Sequence, residues 1–413
     1  MIPRHDPPAP LVIALVSEHA SPLAVLGGVD AGGQNVHVAR LAGALADRGH
    51  HVRVYTRRDA PDLPAGTRLR AGVEVRHVPA GPDRALPKDE LLPYMAQFGA
   101  YLEREWQHTP PDLVHSHFWM SGVASLRAAR ALALPLAHTY HALGTVKRRH
   151  QKDADSSPPE RIGWETAVGA GCDRIIATCR DEVEELAAMG LGHHRTTVVP
   201  CGVDPQQCTP RGPAARSTRR PLLVQLGRLV RRKGAGVSIA ALALLPDAEL
   251  VIAGGPPAGR LGQDPEARRL RALAHHLGVA DRVRFTGGLP PERVPSLFRA
   301  ADIVLCPADY EPFGIVPLEA MSCGTPVVAT AVGGHRDTVA DPGTGRLVPP
   351  RDPAALAEAA AGLLARPELR AACGAAGRRR VLTRYSWDRV AAATEDVYRD
   401  VLARHPAAVP GAA

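Results

Sequence analysis

Aromatic side chains are scarce in this sequence, at 4% of 413 residues. The basic residues are spread along the chain and form no recognition motif. A formal net charge of +8 therefore does not point to nucleic acid, which would need a basic face with stacking partners. The densest basic clusters are Arg231-Arg232-Lys233 and Arg378-Arg379-Arg380. Cysteines number seven, an odd count scattered from Cys172 to Cys373, which excludes a disulfide framework. The gaps from Cys172 to Cys179 and from Cys201 to Cys208 are too wide for a zinc ribbon, so buried thiols are expected. No apolar run approaches the roughly 18 residues of a membrane span, so no integral membrane association is expected. The opening Met1 to Pro8 lacks the apolar segment of a signal peptide, and the expected location is cytoplasmic. No repeat of solenoid period and no G-x-G-x-x-G fingerprint occurs.

What is present is alternation. Hydrophobic residues at 45% and charged residues at 22% suit a globular chain, and 39 Gly with 39 Pro suit many strand–helix loops. The length exceeds one core's usual capacity, so two domains are expected. The chain is organised around Asp302 to Gly345. Asp302-Ile303-Val304-Leu305-Cys306-Pro307 is long enough for a buried strand and too short for a helix. Pro312 favours an extended or turn conformation at Glu311, Gly314 permits close backbone approach, and Pro317 suits a first helical turn. Cys323-Gly324-Thr325-Pro326 stops that helix, and Val327-Val328-Ala329-Thr330 begins another strand.

Such strand-end loops bind ligands in open α/β sheets, and a helix start suits phosphate. Glu311 in the loop and Glu319 in the helix offer carboxylates to neighbouring hydroxyls. Together they suggest a ligand both polyhydroxylated and phosphorylated, such as a nucleotide sugar. An isolated pair of this spacing would read as a helix cap plus a solvated glutamate.

The first half has the same rhythm. Leu11 to Val16 reads as a first strand. It leads into Gly27-Gly28-Val29-Asp30-Ala31-Gly32-Gly33-Gln34-Asn35 and a helix stopped at Gly49. Val52 to Thr56 and Val73 to Val78 are further strands. Lys88 lies on a polar loop or helix start. Asp112 to Trp119 reads as a strand running into a loop, with Gly122 opening a helix. Pro135 to Gly144 is another strand end, so His115, His117, His138 and His141 gather where an acceptor could bind. Lys147, Arg148 and Arg149 follow and could meet an anion. Asp153-Ala154-Asp155 lies on a polar loop, without the preceding strand that a metal-binding pair requires. A segment rich in Pro, Arg and Ser, Pro205 to Arg220, marks the boundary. Beyond it, Pro221 to Arg228, Glu249 to Gly255 and Val283 to Gly288 restart the strand pattern, and Tyr385 to Val390 opens a final helix.

Glu311-Pro312-Phe313-Gly314-Ile315-Val316-Pro317-Leu318-Glu319 resembles the E-x7-E signature of retaining glycosyltransferases of family 4 (glycosyltransferase group 1). Arg228-Leu229-Val230-Arg231-Arg232-Lys233-Gly234 resembles the G-R-x4-K-G motif of that family, and Val199-Pro200-Cys201-Gly202-Val203-Asp204 its V-P-x-G-V-D segment. Asp30-Ala31-Gly32-Gly33-Gln34-Asn35 more narrowly resembles the inositol-phosphate glycosyltransferases of mycothiol synthesis and sucrose-phosphate synthases. The resemblance covers nearly the whole chain.

It implies an α/β chain with the GT-B fold: two Rossmann-like domains facing across a cleft, with a C-terminal helix crossing back to the first. The expected boundaries are 1–210, completed by 385–405, for an acceptor-side domain, and 211–384 for a nucleotide-sugar domain. Residues 406–413 are expected to be a disordered tail. The implied activity moves a hexosyl or N-acetylhexosaminyl group, with retention, from a nucleoside-diphosphate sugar. The donor is expected to be UDP-linked and the acceptor small and polar, with or without phosphate. No metal or other cofactor is implied, because Arg228 and Lys233 would grip the diphosphate; the nucleotide sugar is a co-substrate. Gly32, Gly33, Arg228, Lys233, Glu311, Phe313, Gly314, Ile315 and Glu319 would bind donor, with Glu319 on the ribose and Glu311 on the sugar. His141 would lie near the transferred sugar, joining Arg228, Lys233 and Glu311 in the catalytic set. Asn35, Lys88, Thr139 and Arg161 would bind acceptor. Two departures weaken an inositol-phosphate assignment: Phe118 replaces a Tyr whose hydroxyl meets the phosphate, and Ala142 replaces a hydroxylated residue. No protein nucleophile stands out. The competing expectation is a non-catalytic nucleotide-sugar-binding module acting through a partner. Nothing in the sequence bears on oligomeric state.

Overall fold

A computed structural model of the chain describes residues 9–23, 33–216 and 219–405. Gly32 and the 406–413 tail lie outside them. The chain divides into two compact units, one made of Met1–Ala177, Val183–Val199 and Ala391–Ala413, the other of Thr178–Glu182 and Pro200–Val390.

The first unit holds β1 (Val12–Val16), β2 (His51–Arg57), β3 (Gly66–Arg70), β4 (Val73–Val78), β5 (Leu113–His117), β6 (Leu136–Thr139), β7 (Arg174–Ala177) and β8 (Thr196–Val198). They form one sheet in the order β3-β4-β2-β1-β5-β6-β7-β8. Every pairing is parallel except β3 on β4. That edge strand is the one the apolar pattern does not reveal, because Thr67, Arg68 and Arg70 suit a solvated edge. Central strands β1 and β5 are buried almost throughout, as expected where helices cover both faces.

The second unit holds β9 (Leu222–Leu226), β10 (Glu249–Ala253), β11 (Val283–Gly287), β12 (Ile303–Cys306), β13 (Val327–Thr330) and β14 (Gly345–Val348). Their order is β11-β10-β9-β12-β13-β14, wholly parallel. Helices start where local chemistry asks them to. Asp264 and Asp352 each accept the N–H three residues on, at 2.8 and 2.9 Å, with proline following in the first turn.

Both sheets reverse direction at their middle. In each, the chain lays strands outward on one side, then returns to the first strand and builds the other. The switch points are β1/β5 and β9/β12, and ligands bind at such places in open α/β sheets.

Two expectations shift. The boundary after residue 210 falls inside the second unit. The Cys208 carbonyl accepts Ser322 Oγ at 2.6 Å and Arg378 at 2.8 Å, which fastens this segment to that core. Gly122 does not open a helix, which instead runs Trp119–Ala131. Gly122 is inside it because a Cβ there would lie 2.6 Å from Val168 and 2.9 Å from His138. The final helix, Trp387–Arg404, belongs to the first unit from Ala391 onward. There Tyr398 meets His115 at 2.7 Å and Asp400 meets Arg174 at 2.6 Å.

Candidate functional site

In the second unit, the loops leaving β9 and β12 are laced together at the switch point. The Asp309 N–H donates to the Arg232 carbonyl at 2.8 Å, and Gln225 Nε2 donates to the Lys233 carbonyl at 2.7 Å. The turn after β13 joins them, its Gly334 N–H donating to the Glu311 carbonyl at 2.8 Å. Gly234 makes the close approach possible. Its φ is +72°, and a Cβ there would lie 1.9 Å from the Pro307 carbonyl oxygen.

These loops bring Lys233 and Glu311 into an ion pair, both side chains half-buried. Burial raises the Glu311 carboxyl, but Lys233, His335 and Arg232 outweigh it, and the group is held down at about 2. Arg232 also lies over the Tyr310 ring at 4.9 Å. Gly314, at φ +71°, precedes the helix Ile315–Ser322, so Phe313, Gly314 and Ile315 lie at its amino end and Glu319 lies within it. Glu319 has no ion-pair or hydrogen-bond partner among the described residues, and burial alone pushes it up to about 7. The charges share a neighbourhood. The buried Cys306 thiol is pushed up by burial first, then by Glu311 and Glu319, with Lys233 opposing. Arg228 is exposed on the same β9 loop.

His335 was not among the candidates. It is buried, its Nδ1–H donates to the Thr330 carbonyl at 3.1 Å, and it is lowered to about 4, by burial above all. Its only sequence signal is its place just beyond a strand end, after Gly333-Gly334.

The first unit carries a buried histidine cluster. Residues alternate across β5, so His115 and His117 face one side and Ser116 the other. Ser116 Oγ meets His138 Nδ1 at 2.8 Å, and His117 Nδ1 meets His141 Nε2 at 2.9 Å with the rings stacked. Burial lowers His37 to about 4 and His138 to about 3, and depresses His115, His117 and His141 strongly. All five are neutral near pH 7. Unfolding exposes them to an ordinary value of 6.5, so the unfolded chain takes up protons first as pH falls. Stability should therefore drop between pH 6.5 and 5, with about two protons or more taken up on unfolding at pH 5. Urea melts across that range, with a pH-independent midpoint as the adverse result, check this.

Thr139 is not available to an acceptor as expected. Its buried hydroxyl donates to the Ile176 carbonyl at 3.0 Å and meets His115 Nε2 at 2.9 Å. Arg161 is also buried, with bonds to Glu165 at 2.7 Å, Ser157 at 3.1 Å and the Ala142 carbonyl at 2.6 Å. It lies 5.2 Å over the Phe118 ring. Asn35 donates to the Ser21 carbonyl at 3.1 Å from the helix Gly33–Asp47, on which Gly33 is the first residue. Lys88, half-buried, begins the short turn Lys88–Glu90. Asp155 pairs with Lys147 at 2.9 Å.

Phe118 itself has φ +78°, costly for a bulky side chain at about 1–3 kcal/mol. It stands at the end of β5, its N–H still bonded to the Thr139 carbonyl at 2.8 Å. Across the switch point, Glu18 follows β1, wholly buried. Its carboxylate accepts from Ser121 and meets His19 Nδ1 at 2.6 Å. Neither Glu18 nor His19 was among the candidates.

Among the described residues no group of three or more His, Cys, Asp or Glu is placed to hold a metal ion. No described helix is long and apolar enough to cross a membrane.

Comparisons with known proteins agree with one another. Residues 31–207 match the family model described as Glycosyltransferase Family 4, and residues 211–380 that described as Glycosyl transferases group 1. The D-inositol 3-phosphate glycosyltransferase of Xylanimonas cellulosilytica is 40% identical over 96% of this chain and 98% of its own. That of Acidothermus cellulolyticus is 40% identical over 96% and 92%. Among solved structures, sucrose-phosphate synthase from Thermosynechococcus elongatus has a TM-score of 0.86 at 32% identity, over 95% of this chain and 99% of that one.

Proposed function

The chain belongs to the family 4 glycosyltransferases of the GT-B fold, and from that premise we propose that it moves a hexosyl or N-acetylhexosaminyl group from a UDP-sugar, with retention, to a small polar acceptor. The observation that carries this reading is the grouping of Lys233, Glu311 and Glu319 around one helix start at a switch point. A diphosphate needs fixed cations, and Lys233 with Arg228 would supply them, doing without a metal what a divalent ion does elsewhere. Glu319, without a partner among the described residues, would accept from the ribose hydroxyls. Glu311 would orient the sugar, beside the backbone at Phe313, Gly314 and Ile315. On the first unit, Gly33, Asn35, Lys88 and Arg161 would serve the acceptor side, and His141 would face the transferred sugar. The curated relatives are named for inositol 3-phosphate, which places a phosphorylated cyclitol first among acceptors to try.

Incubating the protein with UDP-glucose or UDP-N-acetylglucosamine and a panel of polyols and sugar phosphates tests the reading. Free UDP together with a linked product of retained configuration is expected; no transfer from either donor to any acceptor overturns it. Glu319 gives a sharper check. Ribose hydroxyls favour its ionised form, which at pH 6 is the minority because the group titrates near 7. UDP should therefore bind up to about tenfold more tightly per pH unit on rising towards 7, then level off. In Glu319→Gln the dependence should vanish and affinity fall about tenfold or more, read by calorimetry.

A further inference from the structure

We infer that His335 is a ligand-triggered cation of the donor side, neutral before the donor binds and protonated at Nε2 once a sugar diphosphate is held, so that the anion meets a further positive charge. This rests on the proposed function. Three loops meet at the β9/β12 switch point, and His335 lies on the third, the turn after β13. That turn is backed onto the loop of Glu311. Its Gly334 N–H donates to the Glu311 carbonyl at 2.8 Å. A Cβ on Gly333 would lie 2.2 Å from the same carbonyl oxygen, and one on Gly334 would lie 2.6 Å from that of Phe313. Thr330 Oγ1 donates to the Ala308 carbonyl at 2.6 Å, which ties the end of β13 to the loop after β12. Backbone contacts thus fix His335 in the neighbourhood of the Lys233–Glu311 pair.

One bond decides which nitrogen can respond. A carbonyl can only accept, so Nδ1 keeps its proton for Thr330, and Nε2 alone can titrate. Nε2 has no hydrogen-bond partner among the described residues. The residue is 1% exposed, so solvent screens a charge placed there only weakly.

The charges that act on the ring come from the other two loops. Glu311 favours its protonated form and Lys233 opposes it, while burial outweighs both and holds the ring at about 4. On its own turn, Arg336 Nε donates to the Ala331 carbonyl at 2.7 Å, and Asp337 accepts the Arg180 N–H at 2.6 Å within the same unit. A bound diphosphate shifts this balance one way. It brings negative charge, it draws on Lys233, and it leaves Glu311 less fully paired. A nearby opposite charge raises a histidine by about 1–3 pH units, which carries this ring from about 4 to between about 5 and 7. The proton comes from solvent as the donor binds and returns there as the nucleotide leaves. No substrate bond is made or broken at the ring.

The test counts protons. UDP-glucose and UDP-N-acetylglucosamine, whose diphosphate does not titrate near neutral pH, are bound calorimetrically at pH 5.5 in two buffers of different ionisation heat. His335→Asn keeps a donor for Thr330 and removes Nε2; His335→Gln is the second variant. Glu319 titrates in parent and variants alike and cancels in the difference. Per nucleotide sugar bound, the parent should take up about half a proton or more beyond either variant, and bind about three- to tenfold more tightly. Uridine, which has no phosphate, should bind all three proteins within about twofold. Equal proton uptake in parent and variants overturns the inference and leaves the proposed function intact. Loss of uridine binding in step with nucleotide-sugar binding overturns it too, by showing a merely structural role. A parent that binds neither nucleotide sugar overturns both.

Discussion

Replacing Lys233 with alanine should lower kcat by about 10²–10³, the usual cost of removing one fixed group that stabilises developing charge. The departing nucleotide gains negative charge on its terminal phosphate as the sugar leaves. On the proposed function Lys233 would meet that charge from the β9/β12 switch point, where its loop is bonded to that of Glu311 through Arg232 and Asp309. The same substitution leaves Glu311 half-buried without its main counterion, at about 1–3 kcal/mol. The two effects can be told apart. In the parent, Glu311 is lowered from an ordinary 4.5 to about 2. Its contribution is complete above 4.5 and is lost as pH falls through the interval to about 2. Lys233→Ala should lose that contribution near neutral pH. Adding Glu311→Gln should recover thermal stability and leave turnover low. A single variant with parental kcat removes Lys233 from the mechanism.

Gly234→Ala should be the most damaging small substitution in the second unit, at about 3 kcal/mol or more, and should abolish activity in whatever remains folded. The added methyl would need a left-handed backbone and would press on a backbone carbonyl at 1.9 Å, which has no rotamer to yield with. Relief requires the β9 loop to part from the end of β12, taking Lys233 from Glu311. Gly236, two residues on in the helix Ala235–Ala243, is the control. A Cβ there meets only side-chain atoms of Leu273 and Arg269, at 3.4 Å and beyond. Gly236→Ala should be neutral or stabilise by up to about 1 kcal/mol. Equal denaturation midpoints for the two variants would falsify the steric account.

Much of the second unit is legible in the sequence because its signals are local. β12 and β13 are short apolar runs bounded by proline and glycine, and Glu311 and Glu319 sit on one strand–loop–helix segment. The loop bearing Lys233 is equally compact. Other features depend on distant partners. Glu18 and His19 are adjacent and unremarkable until Ser121, about a hundred positions later, closes on the carboxylate. Thr139 looks like a strand-end hydroxyl open to ligand, yet β5 and β7 consume it from both sides. The segment around Cys208 has the composition of a free linker, and only Ser322 and Arg378 reveal that it is packed. Strand β3 escapes notice because an edge has no need of apolar residues.

The Lys233–Glu311 contact has a consequence for the end of the catalytic cycle. A lysine left bare after transfer would cling to the spent diphosphate, and product would linger. Glu311, paired with Lys233 in this structure, would take back the ammonium when the nucleotide leaves. On the proposed function, the empty enzyme would be reset without exposing a lone charge, and exit of the nucleotide would be made easier by the acid proposed to orient the sugar.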